Sequence, residues 1–91
     1  MFTLDIGIEV QPSTDINDVF KICDEIEKVL EKERDSSGCG FGVRDMQFEF
    51  DTESKAEAAE VKVREIFTKH NIIISETSDS YIGVYNNEEN E

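Results

Sequence analysis

The stretch FTLDIGIEV, residues 2–10, alternates apolar residues with polar or small ones and gives the clearest periodic signal in the chain. The apolar residues occupy every second position: Phe2, Leu4, Ile6, Ile8 and Val10. A period of two is typical of a β-strand with one buried face and one wet face. Residues 2–10 therefore predict a strand in a sheet that is covered on one side only.

A helix is predicted directly after this strand. Thr14 or Asp15, in the segment Pro12–Asp15, can cap its free N–H groups, and the helical spacing continues to about Arg34. The apolar positions of this helix recur at every third or fourth residue: Ile16, Val19, Phe20, Cys23, Ile26 and Leu30. That spacing predicts one buried stripe on an otherwise charged helix.

A second helix is predicted to begin within Asp51–Ser54, where Ser54 and Glu57 fit a capping box. Its apolar stripe begins with small residues: Ala56, Ala59, Val63, Ile66 and Phe67. Small residues at the start of the stripe would let this helix pack close to the sheet. Asn71 is a suitable left-handed residue for its end.

Residues 36–42, SSGCGFG, predict a flexible loop that leads into the second strand. In that strand Phe41 and Val43 share one phase of alternation, whereas Met46, Phe48 and Phe50 share the other. A change of phase at Arg44 and Asp45 predicts a β-bulge, because one extra residue reverses which side chains face inward.

The apolar run Ile72–Ile74 predicts a short third strand, and the alternation over Tyr81–Tyr85 predicts a fourth. The resulting order is β-α-β-α-β-β, with two helices on one face of a three- to four-stranded sheet. This α+β two-layer sandwich is ferredoxin-like in general build. We expect one domain over residues 1–85, followed by an acidic flexible tail over residues 86–91.

The charge favours some partners and disfavours others. The chain has 91 residues and a net charge of −13. Such a charge disfavours direct contact with nucleic acid or an anionic membrane, because phosphate binding normally requires Lys and Arg. It favours a basic protein partner, including one that itself binds nucleic acid, since opposite fields accelerate encounter. The alternative is that the acidity only keeps the protein soluble.

Two surfaces of the predicted fold could bind such a partner. The first helix carries many carboxylates, of which we select Asp24, Glu25, Glu27 and Glu31 as candidate partner-binding residues. The open face of the sheet should present Asp5, Glu9 and Glu49, together with the second candidate group, Tyr81 and Tyr85. Exposed aromatic rings on a flat sheet bury area at little entropic cost, although tyrosine is also an ordinary strand residue.

A second hypothesis is a regulatory domain that binds a small ligand or a nucleotide and forms a homodimer through the open sheet face. Gly38, Gly40 and Gly42 could bring backbone N–H groups to an anion. However, this segment leads into a strand, whereas phosphate-binding loops usually lead into a helix, and it lacks the ending of a P-loop.

No catalytic, metal or cofactor motif is evident, so we expect a protein that is not an enzyme. His70 has no second histidine with which to form a metal site, and Cys23 lies on an apolar stripe as a small core residue. Cys39 lies in the predicted loop without an evident base. With no signal-like or membrane-spanning run, we expect a cytoplasmic protein with free thiols.

Overall fold

The computed structural model describes residues 1–10, 15–40, 42–75 and 78–86, with only the backbone described at 39–40. The strands are β1 (Phe2–Glu9), β2 (Ser36–Gly40), β3 (Val43–Phe50) and β4 (Tyr81–Asn86), and the helices are α1 (Ile16–Leu30) and α2 (Glu53–Lys69). The elements follow one another in the order β-α-β-β-α-β. The predicted α+β class is therefore confirmed. The order differs from the predicted β-α-β-α-β-β in that two strands, and not one, lie between the helices.

The four strands form one sheet in the order β2-β3-β1-β4, and every neighbouring pair is antiparallel. The alternating strand β1 lies inside the sheet, between β3 and β4, and β2 and β4 are the two edges. This arrangement is the ferredoxin-like one, in which each helix connects two strands that are separated by a third.

Both helices contribute to a single core on one face of the sheet. The buried cluster combines alternate strand residues (Leu4, Ile6, Ile8, Met46, Phe48, Ile82) with helix residues (Val19, Ile22, Cys23, Ile26, Ala59, Val63, Ile66, Phe67). The stripe predicted for α2 is buried throughout, whereas Ile16 and Phe20 of the stripe predicted for α1 are exposed and Ile22 is buried instead.

The helix ends depend on local hydrogen bonds. Asp15 caps α1 by accepting from the backbone N–H of Asn17 at 2.9 Å, as predicted, whereas residues 12–14 lie outside the described part of the chain. The helix ends at Leu30, before the predicted end, because Glu31 takes the left-handed conformation with φ 54°. Thr52, and not Ser54, caps α2, since its hydroxyl accepts from Lys55 N–H at 3.3 Å.

The predictions for residues 36–45 are wrong in two respects. Residues 36–40 form the edge strand β2 instead of a flexible loop, and β2 pairs with β3 through a tight connection in which Gly42 has φ 77°. The predicted bulge is absent, because β3 pairs with β1 one residue to one along its whole length. Phe41 lies outside the described residues.

Arg44 explains the misleading phase change. It pairs with Ile8 and therefore shares the core-facing side of β3 with Met46 and Phe48. Its guanidinium carbon lies 5.3 Å from the centroid of the Phe20 ring. A cation stacked on an aromatic face can occupy a half-buried position, so a polar residue stands at the inward position here without an inserted residue.

The strand predicted at residues 72–74 is not formed. The sheet is completed by β2 and β4, and Ile72–Ile74 belongs to the connection that carries the chain from α2 to β4. Asn71, with φ 59°, has the predicted left-handed conformation. Strand β4 extends through Asn86, one residue into the segment predicted as a tail, and residues 87–91 lie outside the described part.

Candidate interaction face

The open face of the sheet is the side of each strand that points away from the two helices. Pairing register assigns its members: Thr3, Asp5, Gly7 and Glu9 of β1; Val43, Asp45, Gln47 and Glu49 of β3; Ser36 and Gly38 of β2; Tyr81, Gly83 and Tyr85 of β4. The sequence predicted five of these residues, namely Asp5, Glu9, Glu49, Tyr81 and Tyr85. Asp45 was missed, because the expected bulge obscured its facing.

The charges of the open face all have the same sign. Four carboxyl-bearing residues lie on it, at positions 5, 9, 45 and 49. None of the nine Lys and Arg residues does: six belong to the helices, Lys32 and Arg34 lie between α1 and β2, and Arg44 faces the core. All nine lie among the described residues, so no Lys or Arg of the chain occupies a position on this face.

A row of hydrogen bonds crosses all four strands on the open face. The Ser36 hydroxyl donates to Oε1 of Gln47 at 2.6 Å, and Nε2 of Gln47 donates to Oδ1 of Asp5 at 2.8 Å. The Tyr81 hydroxyl lies 3.4 Å from the same Asp5 oxygen. One carboxylate therefore receives donors from both neighbouring strands, which orients the polar side chains of this surface before any partner arrives.

The two tyrosines of the open face differ in their surroundings. The Tyr81 ring covers Gly7, where a Cβ atom would overlap the ring. Burial, followed by the nearby Asp5 and Asp45 carboxylates, raises the pKa of the Tyr81 hydroxyl, so this residue stays a neutral hydrogen-bond donor at physiological pH. Tyr85 is half exposed.

Gly83 leaves an open slot between these tyrosines. It pairs with Asp5 and alternates with Tyr81 and Tyr85 along β4, and a Cβ atom at this position would meet no atom within 4 Å. The slot thus has an aromatic side chain on either side and a carboxylate on the adjacent strand. Aromatic faces and a carboxylate are the groups that bind a guanidinium or an ammonium.

The candidate carboxylates of α1 lie on the helical side and share no surface with Tyr81 and Tyr85. Two of them are bound within the protein: Glu25 contacts Lys69 Nζ at 3.1 Å and His70 Nε2 at 3.0 Å, and Glu27 contacts Arg34 Nε at 2.8 Å. Asp24 lies 3.6 Å from Arg34, and Glu31 is the exposed left-handed residue that ends α1.

These ion pairs change the acidity of both bound carboxyls. Hydrogen bonds from His70 and then from Lys69 hold the pKa of Glu25 below its usual range. Hydrogen bonds from the side chain and backbone of Arg34 lower the pKa of Glu27 to about 2. A partner that used these carboxylates would first have to displace cations of the same chain, which reduces its net gain.

The glycine segment proposed for anion binding is part of the sheet. Gly38 and Gly40 belong to β2 and pair with Asp45 and Val43 of β3. Gly42 occupies the connection to β3, and its carbonyl oxygen accepts the backbone N–H of Val10 at 2.6 Å. The carboxylate of Asp45 lies close to Gly38, as a Cβ there would come within 3.3 Å of Oδ1. A neighbouring carboxylate makes this segment unfavourable for an anion.

Two concave surfaces lie where the helices meet the sheet, on the side opposite the open face. A cleft of about 460 Å³ lies between the start of α1, the end of β1 and the connection from α2 to β4. It is lined by Ile8, Val19, Ile22, Ile72 and Ile73, with polar groups from Glu9, Asp18, His70, Asn71, Ser75, Ser78 and Ser80. Ile73 is 69% exposed there. The sequence analysis predicted a strand at Ile72 and Ile73 and did not predict the cleft.

The second concavity is a groove of about 490 Å³ between α2 and the edge strand β4. Glu53, Glu57 and Glu60 line it from the helix, and Phe2, Val84, Tyr85 and Asn86 line it from the sheet. A hydrogen bond with Glu53 and repulsion from the same carboxylate, followed by desolvation and repulsion from Glu60, raise the pKa of Glu57. Only the fold places these glutamates beside β4, the last strand at that side of the described sheet.

Other chemistry is sparse in the described part of the chain. Cys23 is buried, and burial raises the pKa of its thiol, which makes it a poor nucleophile. Residues 1–10, 15–40, 42–75 and 78–86 contain no group of three His, Cys, Asp or Glu side chains arranged to hold a metal ion. No helix in the same residues is long and apolar enough to cross a membrane.

Comparisons of the chain with models of protein families, with curated proteins and with solved structures yield no match. Function must therefore be inferred from the residues and geometry of the chain itself.

Proposed function

We propose that this protein is a non-enzymatic interaction module that binds a basic protein partner through the open face of its sheet. The segregation of charge carries the proposal. Four carboxyl-bearing residues and two tyrosines share that face, and every Lys and Arg of the chain lies elsewhere. A surface of one sign attracts a partner of the opposite sign and orients it during encounter.

The tyrosines add short-range contacts to this long-range attraction. Tyr81 and Tyr85 are 37% and 50% exposed, so their rings remain available to a partner. Tyrosine is enriched in protein interfaces, because it buries a large area with few rotatable bonds. The hydrogen bonds of Asp5 also favour binding, since an ordered carboxylate loses less entropy when a cation arrives.

A partner that uses its basic surface to bind nucleic acid would be inhibited by this protein, because both ligands would compete for the same Lys and Arg residues. Direct binding of nucleic acid by the open face is disfavoured by the same carboxylates. The single sign of the face also opposes the homodimer that pairs two open faces, since like charges would meet across it.

The test compares two variants that each lose three negative charges. The face variant carries Asp5→Asn, Asp45→Asn and Glu49→Gln, and the helix variant carries Asp24→Asn, Glu31→Gln and Glu33→Gln. A partner captured by the unmodified protein is identified by mass spectrometry and purified, and its Kd is measured with each variant. We expect the face variant to weaken binding at least tenfold, which corresponds to about 1.4 kcal/mol.

Raised salt should have a similar effect, because the screening length falls from about 10 Å at 0.1 M to about 3 Å at 1 M. If the helix variant loses affinity and the face variant does not, the acidic surface of α1 is the binding site and the proposal is wrong in its location. If neither variant changes the Kd, the proposal is wrong in its chemistry.

The isoleucine-lined cleft supports a second candidate function, the binding of a small ligand. It combines aliphatic walls with converging polar groups, as ligand pockets do. A thermal-shift screen with nucleotides and apolar metabolites tests this function, since a ligand at 100 times its Kd adds about 2.7 kcal/mol to the free energy of unfolding. A hit that is lost in Ile73→Glu would favour this function over the first.

A further inference from the structure

Strand β4 is the last strand at one side of the described sheet. It pairs with β1 on one side, and no strand among the described residues pairs with its other side. Its sequence, YIGVYN, contains no charged residue and no proline. Edge strands that must not pair usually carry such residues or a bulge, so β4 lacks the common protections against strand addition.

The two sides of this edge complement basic side chains. On the helical side, the groove between α2 and β4 presents Glu53, Glu57 and Glu60 above an apolar floor formed by Phe2 and Val84. On the open face, the slot at Gly83 lies between Tyr81 and Tyr85 and beside Asp5. An added strand would direct successive side chains alternately to these two sides, because the side-chain period of a strand is two.

We propose that β4 is the docking edge for an extended basic segment of the partner, which adds to the sheet as a fifth strand. One arginine or lysine of this segment occupies the slot over Gly83, and those of opposite phase contact the glutamates of α2. Backbone hydrogen bonds to β4 supply affinity, and the two rows of acidic and aromatic side chains select a basic sequence. This inference rests on the proposed function and specifies its mode of binding.

The other edge of the sheet is a poorer site for the same segment. Strand β2 is preceded by Lys32 and Arg34, so cations stand at the start of that edge. Asp35, next to β2, is already bound by Lys32 at 3.2 Å and by the backbone N–H of Glu49 at 2.7 Å. Because Arg34 is paired with Glu27 and Lys32 with Asp35, the edge at β2 offers a basic strand little net attraction, whereas β4 lies beside the glutamates of α2, and this difference selects β4.

Two synthetic peptides of equal charge test the mode of binding. The first is an eight-residue peptide in which two Arg alternate with two Thr, so that arginines reach both sides of the sheet, and the second replaces each Thr with Pro, which is excluded from the interior of sheets. Kd is measured by fluorescence anisotropy at low salt, and the exchange rates of the β4 amides are measured by NMR. We expect the Thr peptide to bind at least tenfold more tightly and to slow exchange of amides within Tyr81–Asn86.

Gly83→Val provides the steric test. The new side chain occupies the slot, its Cβ would meet no atom within 4 Å, and a β-branched residue suits a strand, so the fold should be retained. We expect this variant to bind the Thr peptide at least tenfold more weakly. Ser37→Val, a substitution of similar bulk in the other edge strand, should leave the Kd within twofold of the unmodified value.

The glutamates of the groove are tested in the same assay. Glu53→Gln with Glu57→Gln should weaken binding of the Thr peptide about tenfold, whereas the control pair Glu31→Gln with Glu33→Gln should change it less than twofold. Strand addition would be overturned if the two peptides bound with equal Kd and Gly83→Val left both Kd values unchanged. If the face variant still bound both peptides more weakly, the proposed function would stand. Failure of both peptides to bind at low salt would remove both proposals.

Discussion

At the scale of single residues, a glycine makes room for the tyrosine that shapes the open face. The Tyr81 ring lies over Gly7 on the adjacent strand, in a cross-strand pair of the kind that compensates for glycine in a sheet. Gly83, by contrast, has open space above it. These two glycines therefore have opposite requirements, although both lie at open-face positions of neighbouring strands.

We predict opposite effects of Gly7→Ala and Gly83→Ala on stability. The Cβ of Gly7→Ala must displace the Tyr81 ring, which should cost about 1–3 kcal/mol, the usual penalty of overpacking. Gly83→Ala should be neutral or stabilise by about 0.5–1 kcal/mol, because alanine loses less conformational entropy on folding. Urea denaturation measures both effects, and equal midpoints for the two variants would contradict the position of the Tyr81 ring.

The ion pair between Glu27 and Arg34 predicts a dependence of stability on pH. Because folding lowers the pKa of Glu27 from 4.5 to about 2, its contribution is complete above about pH 4.5 and is lost as the pH falls towards 2. We expect the ion pair to contribute about 1–2 kcal/mol to the free energy of unfolding at neutral pH, after allowance for screening by solvent.

The free energy of unfolding is measured between pH 6 and pH 2 for the unmodified protein, for Glu27→Gln and for the exposed control Glu33→Gln. This range spans the ordinary pKa of a glutamate and the lowered pKa of Glu27. The Glu27→Gln variant should show a shallower acid decline than the unmodified protein, and the control should retain the original slope. Parallel curves for all three proteins would mean that the ion pair does not form in solution.

At the scale of elements, the start of α2 separates local sequence preference from observed geometry. Ser54 and Glu57 match a capping box, yet the backbone takes the extended N-cap conformation at Thr52, with φ −130° and ψ 153°. Helix α2 therefore begins at Glu53, one position before Ser54, once Thr52 supplies the acceptor. Asp51 and Thr52 follow β3 directly, so the end of this strand determines where the helix can begin.

The two possible caps can be distinguished by a pair of alanine substitutions. Thr52→Ala should destabilise the protein by about 1 kcal/mol, because it removes the acceptor of the Lys55 N–H group. Ser54→Ala should change the free energy of unfolding by less than about 0.5 kcal/mol, as exposed helix positions usually do. Chemical denaturation checks both values, and the reverse ranking would place the cap at Ser54.

At the scale of the whole molecule, net charge and its distribution oppose compactness. The chain has a net charge of −13. Its Lys and Arg side chains are confined to the helices, the segment before β2 and the core-facing side of β3. None of these Lys and Arg residues occupies an open-face position, so the carboxylates there lie on neighbouring strands without a Lys or Arg between them. A basic partner would supply the missing positive charge, so stability and binding are linked through the same groups.

This linkage predicts that sodium chloride stabilises the free protein. Raising the concentration from about 0.1 M to about 1 M shortens the screening length from about 10 Å to about 3 Å and weakens the self-repulsion. We expect Tm to rise with salt in the unmodified protein and to rise less in the face variant, which has lost three of the open-face charges. A Tm that falls with salt would mean that attractive ion pairs dominate the electrostatics of the fold.

The sequence by itself determined the elements whose periodicity is local. Strand β1, the stripe of α2, the alternation of β4 and the cap at Asp15 could be predicted, because burial of one face imposes a period of two or 3.6 on nearby residues. The same periodicity placed Asp5, Glu9 and Glu49 on the open face. The net charge could be read from the composition, but the separation of acidic from basic residues could not, because composition does not say which residues share a surface.

The tertiary structure alone decided the pairing of distant residues. Strand β2 forms from serine and glycine because β3 offers it a partner, and Arg44 faces the core because Ile8 and Phe20 provide its surroundings. The slot at Gly83 and the glutamates beside β4 likewise need strands and a helix from separate parts of the chain. These features depend on register and packing between segments far apart in sequence, and no local pattern encodes them.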